Sequence, residues 1–210
     1  MSVVWIKTNK ENSTHSIYCD GQVTTGEGEI RDDSRCKFNL LKIENRNILI
    51  GATGTGYNCD YLLAHLHKEL TNIVIENILN FLKSPLTIRN AEEILNDIIE
   101  KIMQQKFKNN KINYYPSIIL SIDGYLFQGN GFNFSDMAED ENQYYRFAIS
   151  YRNKNHIECG AGWMEIKALL EYDNNADPQK ILNITASIED SVNNNLCKLE
   201  NIKYYNYGNK

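Results

Sequence analysis

A chain of 210 residues is long enough for one domain with a sizeable core. Its 42% hydrophobic and 23% charged residues are the ordinary balance of a globular protein. A formal net charge of −5 offers no overall basic surface for nucleic acid, and no apolar run is long enough to span a bilayer.

The start of the chain lacks a basic stretch followed by an apolar one, so no secretory signal is expected. Cys19, Cys36, Cys59, Cys159 and Cys197 are odd in number and none has the close spacing of a zinc or redox motif. They read as reduced thiols of a cytoplasmic protein.

In chain order, Val3–Thr8 and Ser16–Asp20 flank a polar turn and predict a hairpin. Residues 24–33, rich in glycine and charge, read as a loop. Arg35–Ile43 and Asn47–Ala52 flank a short polar turn and predict a second hairpin, continuing the same sheet. From Asp60 to Lys83 apolar residues recur at helical spacing, and Ser84-Pro85 ends that run. Asn90, with Glu93 three residues on, is placed to cap a second helix. Strands return at Ser117–Ile122 and Tyr125–Gln128 around an Asp123-Gly124 turn. Residues 129–143 read as an exposed polar loop. Tyr144–Tyr151 and His156–Cys159 predict two further strands. Helices follow from Trp163 to Tyr172 and from Asp177-Pro178 onward, the latter burying Ile181, Leu182, Ile184, Ala186 and Ile188. A last strand covers about Cys197–Tyr205. No internal repeat interrupts this order, and residues 1–210 read as a single domain.

Strands, two helices, strands, two helices and a strand predict α+β packing. Four helices and two strand blocks fit a four-layer αββα sandwich of mainly antiparallel sheets. Periodicity alone leaves a three-layer α+β fold open.

Four segments carry more than fold. Asp20-Gly21-Gln22-Val23-Thr24 follows the second strand, and Cys36-Lys37-Phe38 opens the third. Ile48-Leu49-Ile50-Gly51-Ala52 is a hydrophobic strand ending in glycine, and Cys159-Gly160-Ala161-Gly162 leads into a helix. In this order, from Ser2 to about Tyr205, they resemble the proteasome β-type subunits. The resemblance is closest to the bacterial proteasome-like peptidase that works with an ATP-driven unfoldase.

That resemblance implies an N-terminal-nucleophile hydrolase fold and a peptidase whose chain terminus is the active site. Removal of Met1, expected because serine is small, would expose Ser2 as nucleophile. A hydroxyl needs a base within reach, and an α-amino group titrating near pH ~8 supplies one on the same residue. Lys37 would sit beside the Ser2 hydroxyl and favour its ionisation, and Asp20 would hold Lys37. The Gly51 N–H would donate to the oxyanion, an interaction of roughly 3 kcal/mol in comparable hydrolases. Asp190, late in the last helix, falls near the family's second structural aspartate. The family further implies a homo-oligomeric ring acting on peptides or unfolded proteins, with any unfoldase on a separate chain. It implies no cofactor, metal, nucleic acid or membrane.

Three departures support a second reading, that of a proteasome-like subunit that assembles without catalysis. The nucleophile is serine where the family has threonine. Ala161 stands where the family's serine touches the terminal amine, and Trp163 replaces a glycine. Met1 directly precedes Ser2 with no propeptide, and a retained Met1 would displace the amine base. Apart from these departures, the acidic segment 136–142 has no clear counterpart in compact bacterial relatives and would bear on ring stacking or access to the site. Gly51 to Gly56 follows a strand like a phosphate loop, but lacks the lysine and hydroxyl of a P-loop. His65 and His67 lie on different faces of a helix and predict no metal site. Trp163 is expected in the core or an interface.

Overall fold

Val3, Val4, Trp5 and Ile6 are buried without exception, which requires cover on both faces of their strand. The computed structural model shows how that cover is built. It describes residues 2–21, 23–24, 30–32, 35–54, 56–106, 115–133 and 145–205.

Strand β1 (Val3–Asn9) pairs antiparallel with β2 (Thr14–Asp20), Val4 opposite Cys19. A short ribbon of β3 (Val23–Thr24) and β4 (Ile30–Asp32) follows where a plain loop was expected. The second hairpin, β5 (Phe38–Ile43) with β6 (Arg46–Thr53), does not extend the first sheet. It belongs to a second one with β7 (Ser117–Ile122), β8 (Tyr125–Asn133) and β9 (Tyr145–Arg152), in the order β5-β6-β7-β8-β9. The first sheet is completed by β10 (His156–Gly160) and β11 (Leu196–Lys203), in the order β10-β1-β2-β11. Adjacent strands in both sheets run antiparallel.

Helices α1 (Gly56–Glu69), α2 (Asn72–Phe81) and α3 (Ile88–Lys106) accompany the five-stranded sheet. Helices α4 (Trp163–Tyr172) and α5 (Pro178–Ile188) accompany the four-stranded one. Strand alternation sorts the core into three slabs. Val3, Trp5 and Tyr18 meet Ile166, Leu170, Ile181 and Leu182 outside the first sheet. Val4, Ile6 and Ile17 face Leu49 and Ile119 between the sheets. Ile48, Ile50 and Leu120 turn the other way, to Leu62, Leu66, Ile75 and Ile99. The architecture is the four-layer αββα sandwich.

The helices depart from expectation where capping overrides periodicity. The run from Asp60 to Lys83 is two helices. Leu70 N–H closes α1 on Leu66 O, Thr71 turns extended, and its hydroxyl accepts from Val74 N–H to start α2. Five α-helices are therefore present among the described residues, not four. Asn90 is no cap, since a 3₁₀ turn at Pro85–Thr87, capped by Ser84, runs directly into α3. In α5 the buried face is Ile181, Leu182 and Thr185, and Ile188 is exposed. Asp177 caps that helix by accepting from Lys180 N–H. Asp123 and Gly124 both have positive φ, as a tight two-residue hairpin turn requires. Residues 129–133 continue β8 instead of forming a loop. The acidic segment 136–142 lies outside the described residues.

Candidate active site

β2 ends on an aspartate that is wholly buried. Asp20 Oδ1 accepts the Val3 N–H at 2.8 Å and the Lys37 ammonium at 2.9 Å, and Lys37 Nζ also donates to the Asp20 carbonyl at 3.0 Å. A carboxylate so deep in the fold needs both a counter-charge and hydrogen bonds. Lys37 is fixed by its backbone just before β5. Its N–H donates to Cys19 Sγ at 3.3 Å, and its carbonyl accepts from Ala52 N–H at 3.1 Å. The lysine thus bridges the two sheets and turns its side chain back onto β2.

Ser2, 7% exposed, precedes the residue whose N–H Asp20 holds. The Ser2 carbonyl accepts from Ala161 N–H at 2.9 Å. The turn that makes this bond needs glycine at Gly160, where φ is +96° and a Cβ would collide with the Ser2 carbonyl. The start of β1 is thereby clamped from β2 on one side and from the β10–α4 turn on the other.

Ser2 opens on a cleft of about 760 Å³ whose walls include Thr53, Gly54, Gly160, Ala161, Gly162 and Trp163. Trp163 is 40% exposed on this wall, not in the core. Lys37 donates to Asp20 and not to the Ser2 hydroxyl.

Two other expected site residues lie elsewhere. Gly51 sits inside β6 between Phe38 and Ile119. Ala52 N–H points to β5, so by alternation the Gly51 N–H points into the ladder toward β7. Its missing side chain serves close approach of the sheets, since a Cβ would strike Val4 Cγ1. The residues at this end of β6 that line the cleft are Thr53, the last of the strand, and Gly54 just after it. Asp190 lies beyond the end of α5 in an exposed turn, and it is Glu189 that lines the cleft.

The cleft also contains a pair that the sequence reading passed over. His156 Nδ1 and Glu158 Oε2 are 3.1 Å apart, both buried, and Gln128 Nε2 donates to the Glu158 carbonyl at 3.0 Å. The signal was available: two ionisable residues at i and i+2 of one strand must share a face. Among the described residues no group of three or more His, Cys, Asp or Glu is placed to hold a metal ion. His65 Nδ1 is engaged with the Tyr61 carbonyl of its own helix at 2.8 Å.

Solved structures superpose on nearly the whole chain. Eukaryotic HslV from Trypanosoma brucei matches with a TM-score of 0.56 at 15% identity, over 95% of this chain and 98% of that one. Anbu, an ancestral beta-subunit, from Yersinia bercovieri matches with a TM-score of 0.57 at 13% identity, over 94% and 80%. Anbu from Hyphomicrobium sp. strain MC1 gives 0.54 at 13%, over 92% and 78%. The chain has the fold of HslV and Anbu. At such identities the likeness is one of fold alone, and it agrees with the four-layer αββα sandwich expected from the sequence. No family model and no curated protein matches the sequence. No helix among the described residues is long and apolar enough to cross a membrane.

Proposed function

We propose that this chain is a proteasome-like N-terminal-nucleophile hydrolase that cleaves amide bonds of peptides or unfolded proteins. Removal of Met1 frees the Ser2 amine, which takes the proton of the Ser2 hydroxyl as that oxygen attacks the scissile carbonyl. The observation that carries the reading is the Asp20 carboxylate. It receives both Lys37 and the N–H of the residue following Ser2, so one buried anion fixes the nucleophile's backbone and the Lys37 ammonium together. Lys37 supplies positive charge near the site, which favours the alkoxide and the unprotonated amine. The oxyanion donor assigned to Gly51 on sequence falls better to Gly54, whose backbone lines the cleft. The chain works in a homo-oligomeric ring in the cytoplasm, fed by an unfoldase on another chain.

A second reading is favoured by Ala161 and Trp163, which line the cleft that Ser2 also lines, where the resembled family has a serine and a glycine: a subunit that assembles without hydrolysis. Intact mass before and after incubation with a peptide epoxyketone separates the two. Loss of Met1 and one adduct, absent from Ser2→Ala, supports the hydrolase. Retained Met1 with no adduct supports the assembling subunit.

A further inference from the structure

Three of the five cysteines, far apart in sequence, meet beside the Asp20–Lys37 pair. Cys19 lies in β2, Cys36 immediately precedes Lys37, and Cys197 lies in β11. Cys197 is within hydrogen-bonding reach of both other thiols. Cys19 and Cys197 are direct partners across the β2–β11 ladder. Cys36 is exposed, Cys197 is half-buried on a strand at the edge of its sheet, and Cys19 is buried.

This arrangement concentrates one negative charge on one sulfur. The Cys197 thiol is lowered to about 6, first by S–H donation from Cys19, with burial opposing, then by donation from Cys36 and by the Lys37 charge. Cys19 is raised by its hydrogen bond to Cys197 and by burial. Cys36 is pushed up to about 12 by burial and by its hydrogen bond to Cys197. A thiolate is the reactive form, and reactivity follows thiolate character together with access. Cys197 combines the two, whereas Cys59 and Cys159 are buried and each is raised to about 12, mainly by burial.

We propose that Cys197 is an oxidant-reactive thiol that hydroperoxides convert to a sulfenic acid, and that Cys36 resolves it to an intramolecular Cys36–Cys197 disulfide. In the first step the Cys197 sulfur attacks the terminal peroxide oxygen and the O–O bond breaks. Cys197 is oxidised, and the peroxide is reduced and leaves as alkoxide, or as hydroxide from hydrogen peroxide. In the second, the Cys36 sulfur attacks the Cys197 sulfur and the S–O bond breaks. The departing hydroxide takes the Cys36 proton and leaves as water. Cys36 is the resolving thiol because it lies on a segment outside both sheets. Cys19 is held inside β2, with its sulfur accepting the Lys37 N–H. The bridge would pull on the residue next to Lys37, coupling oxidation to the geometry of the Asp20–Lys37 pair.

The test uses the reduced full chain and needs no hydrolase activity, so its failure is distinct from failure of the hydrolase reading. The protein is treated with hydrogen peroxide, quenched in acid, blocked with N-ethylmaleimide, digested and mapped by mass spectrometry. The expected result is a Cys36–Cys197 linked peptide with Cys59 and Cys159 still alkylated. Cys197→Ser should abolish the linkage, and Cys36→Ser should leave a dimedone-trappable sulfenic acid on Cys197. If the variants do not fold, native-state iodoacetamide labelling of the unaltered chain at pH 7 should modify Cys197 about tenfold or more faster than Cys59. Equal labelling rates, or an undiminished oxidation product in Cys197→Ser, overturn the proposal. A Cys19–Cys197 or interchain linkage overturns the assignment of Cys36.

Discussion

Replacing Asp20 by asparagine keeps the shape of the side chain and removes its charge. Asp20 is completely buried and the Lys37 side chain is 10% exposed, so the lysine is left as a poorly solvated cation with no salt-bridge partner among the described residues. Breaking a buried pair from one side costs roughly 3–5 kcal/mol, because the remaining charge stays desolvated. The Asp20 backbone carbonyl still accepts from Lys37, and the asparagine oxygen can still accept from Val3 N–H, which puts the expectation at the lower end, about 3 kcal/mol. The assay is urea unfolding of the native chain, Asp20→Asn, Lys37→Met and the double variant. The two single losses should not add. Removing the cation as well should recover about 1–3 kcal/mol of coupling. A cost below about 1 kcal/mol with additive losses is the behaviour of an exposed pair and would refute the geometry. The same variants test the proposed chemistry, since both single variants should lose hydrolysis even where the double variant regains stability.

Four other outcomes follow from the packing. His15 is buried with Nδ1 on Ser121 Oγ at 2.8 Å, and burial lowers its pKa from 6.5 to about 4, so the unfolded chain binds the extra proton first as pH falls. Stability should therefore drop between pH 6.5 and 4 by about 3 kcal/mol from this residue, and His15→Phe should lose that acid limb in pH-dependent urea melts. Asp123 has the opposite sign: burial, opposed by Arg46, raises it from 3.8 to about 6, so it adds stability as pH falls from 6 toward 4, a gain that Asp123→Asn should remove. Gly160→Ala must place a Cβ against the Ser2 carbonyl at φ +96°, and thermal melting should show a loss of about 3 kcal/mol or more, against little for Ala161→Gly. Thr71→Ala should cost about 1 kcal/mol and Thr71→Ser should restore most of it, measured by urea unfolding.

Much of the fold was legible because its signals are local. The continuous apolar run of Val3 to Ile6, the Asp123-Gly124 turn and the Asp177-Pro178 start each act within a few residues. Thr71 was missed because a cap inside an apolar periodic run does not disturb the periodicity. The division of the first two hairpins between sheets was not legible, since β1–β2 and β5–β6 have the same apolar character and only tertiary pairing tells them apart. At the site, Asp20 and Lys37 were readable as a pair through the resemblance. Gly51 was misplaced because a glycine at the end of an apolar run looks the same whether its N–H or its missing Cβ matters. Here it is the missing Cβ, required by Val4 across the sheet interface.

A buried ion pair is weak evidence of function, since it seldom stabilises a fold more than apolar residues of the same volume would. This chain has a second one, Arg46 with Asp123, at the β7–β8 turn. Burial alone therefore does not single out Asp20, and the distinction lies in what each carboxylate holds. Asp123 has one oxygen, Oδ1, without a partner among the described residues, and its pair closes a hairpin end against β6. Asp20 instead spends one oxygen on two donors, one the N–H of the residue after Ser2 and the other the ammonium of a lysine anchored on the opposite sheet. Its charge thus orders the first residues of β1, which the β10–α4 turn clamps from the other side through Gly160 and Ala161. Strand pairing with β2 and β10 would already hold β1 in its sheet. Additional rigidity at residues 2 and 3, bordering a cleft, is what a reacting terminus needs and a merely packed strand does not.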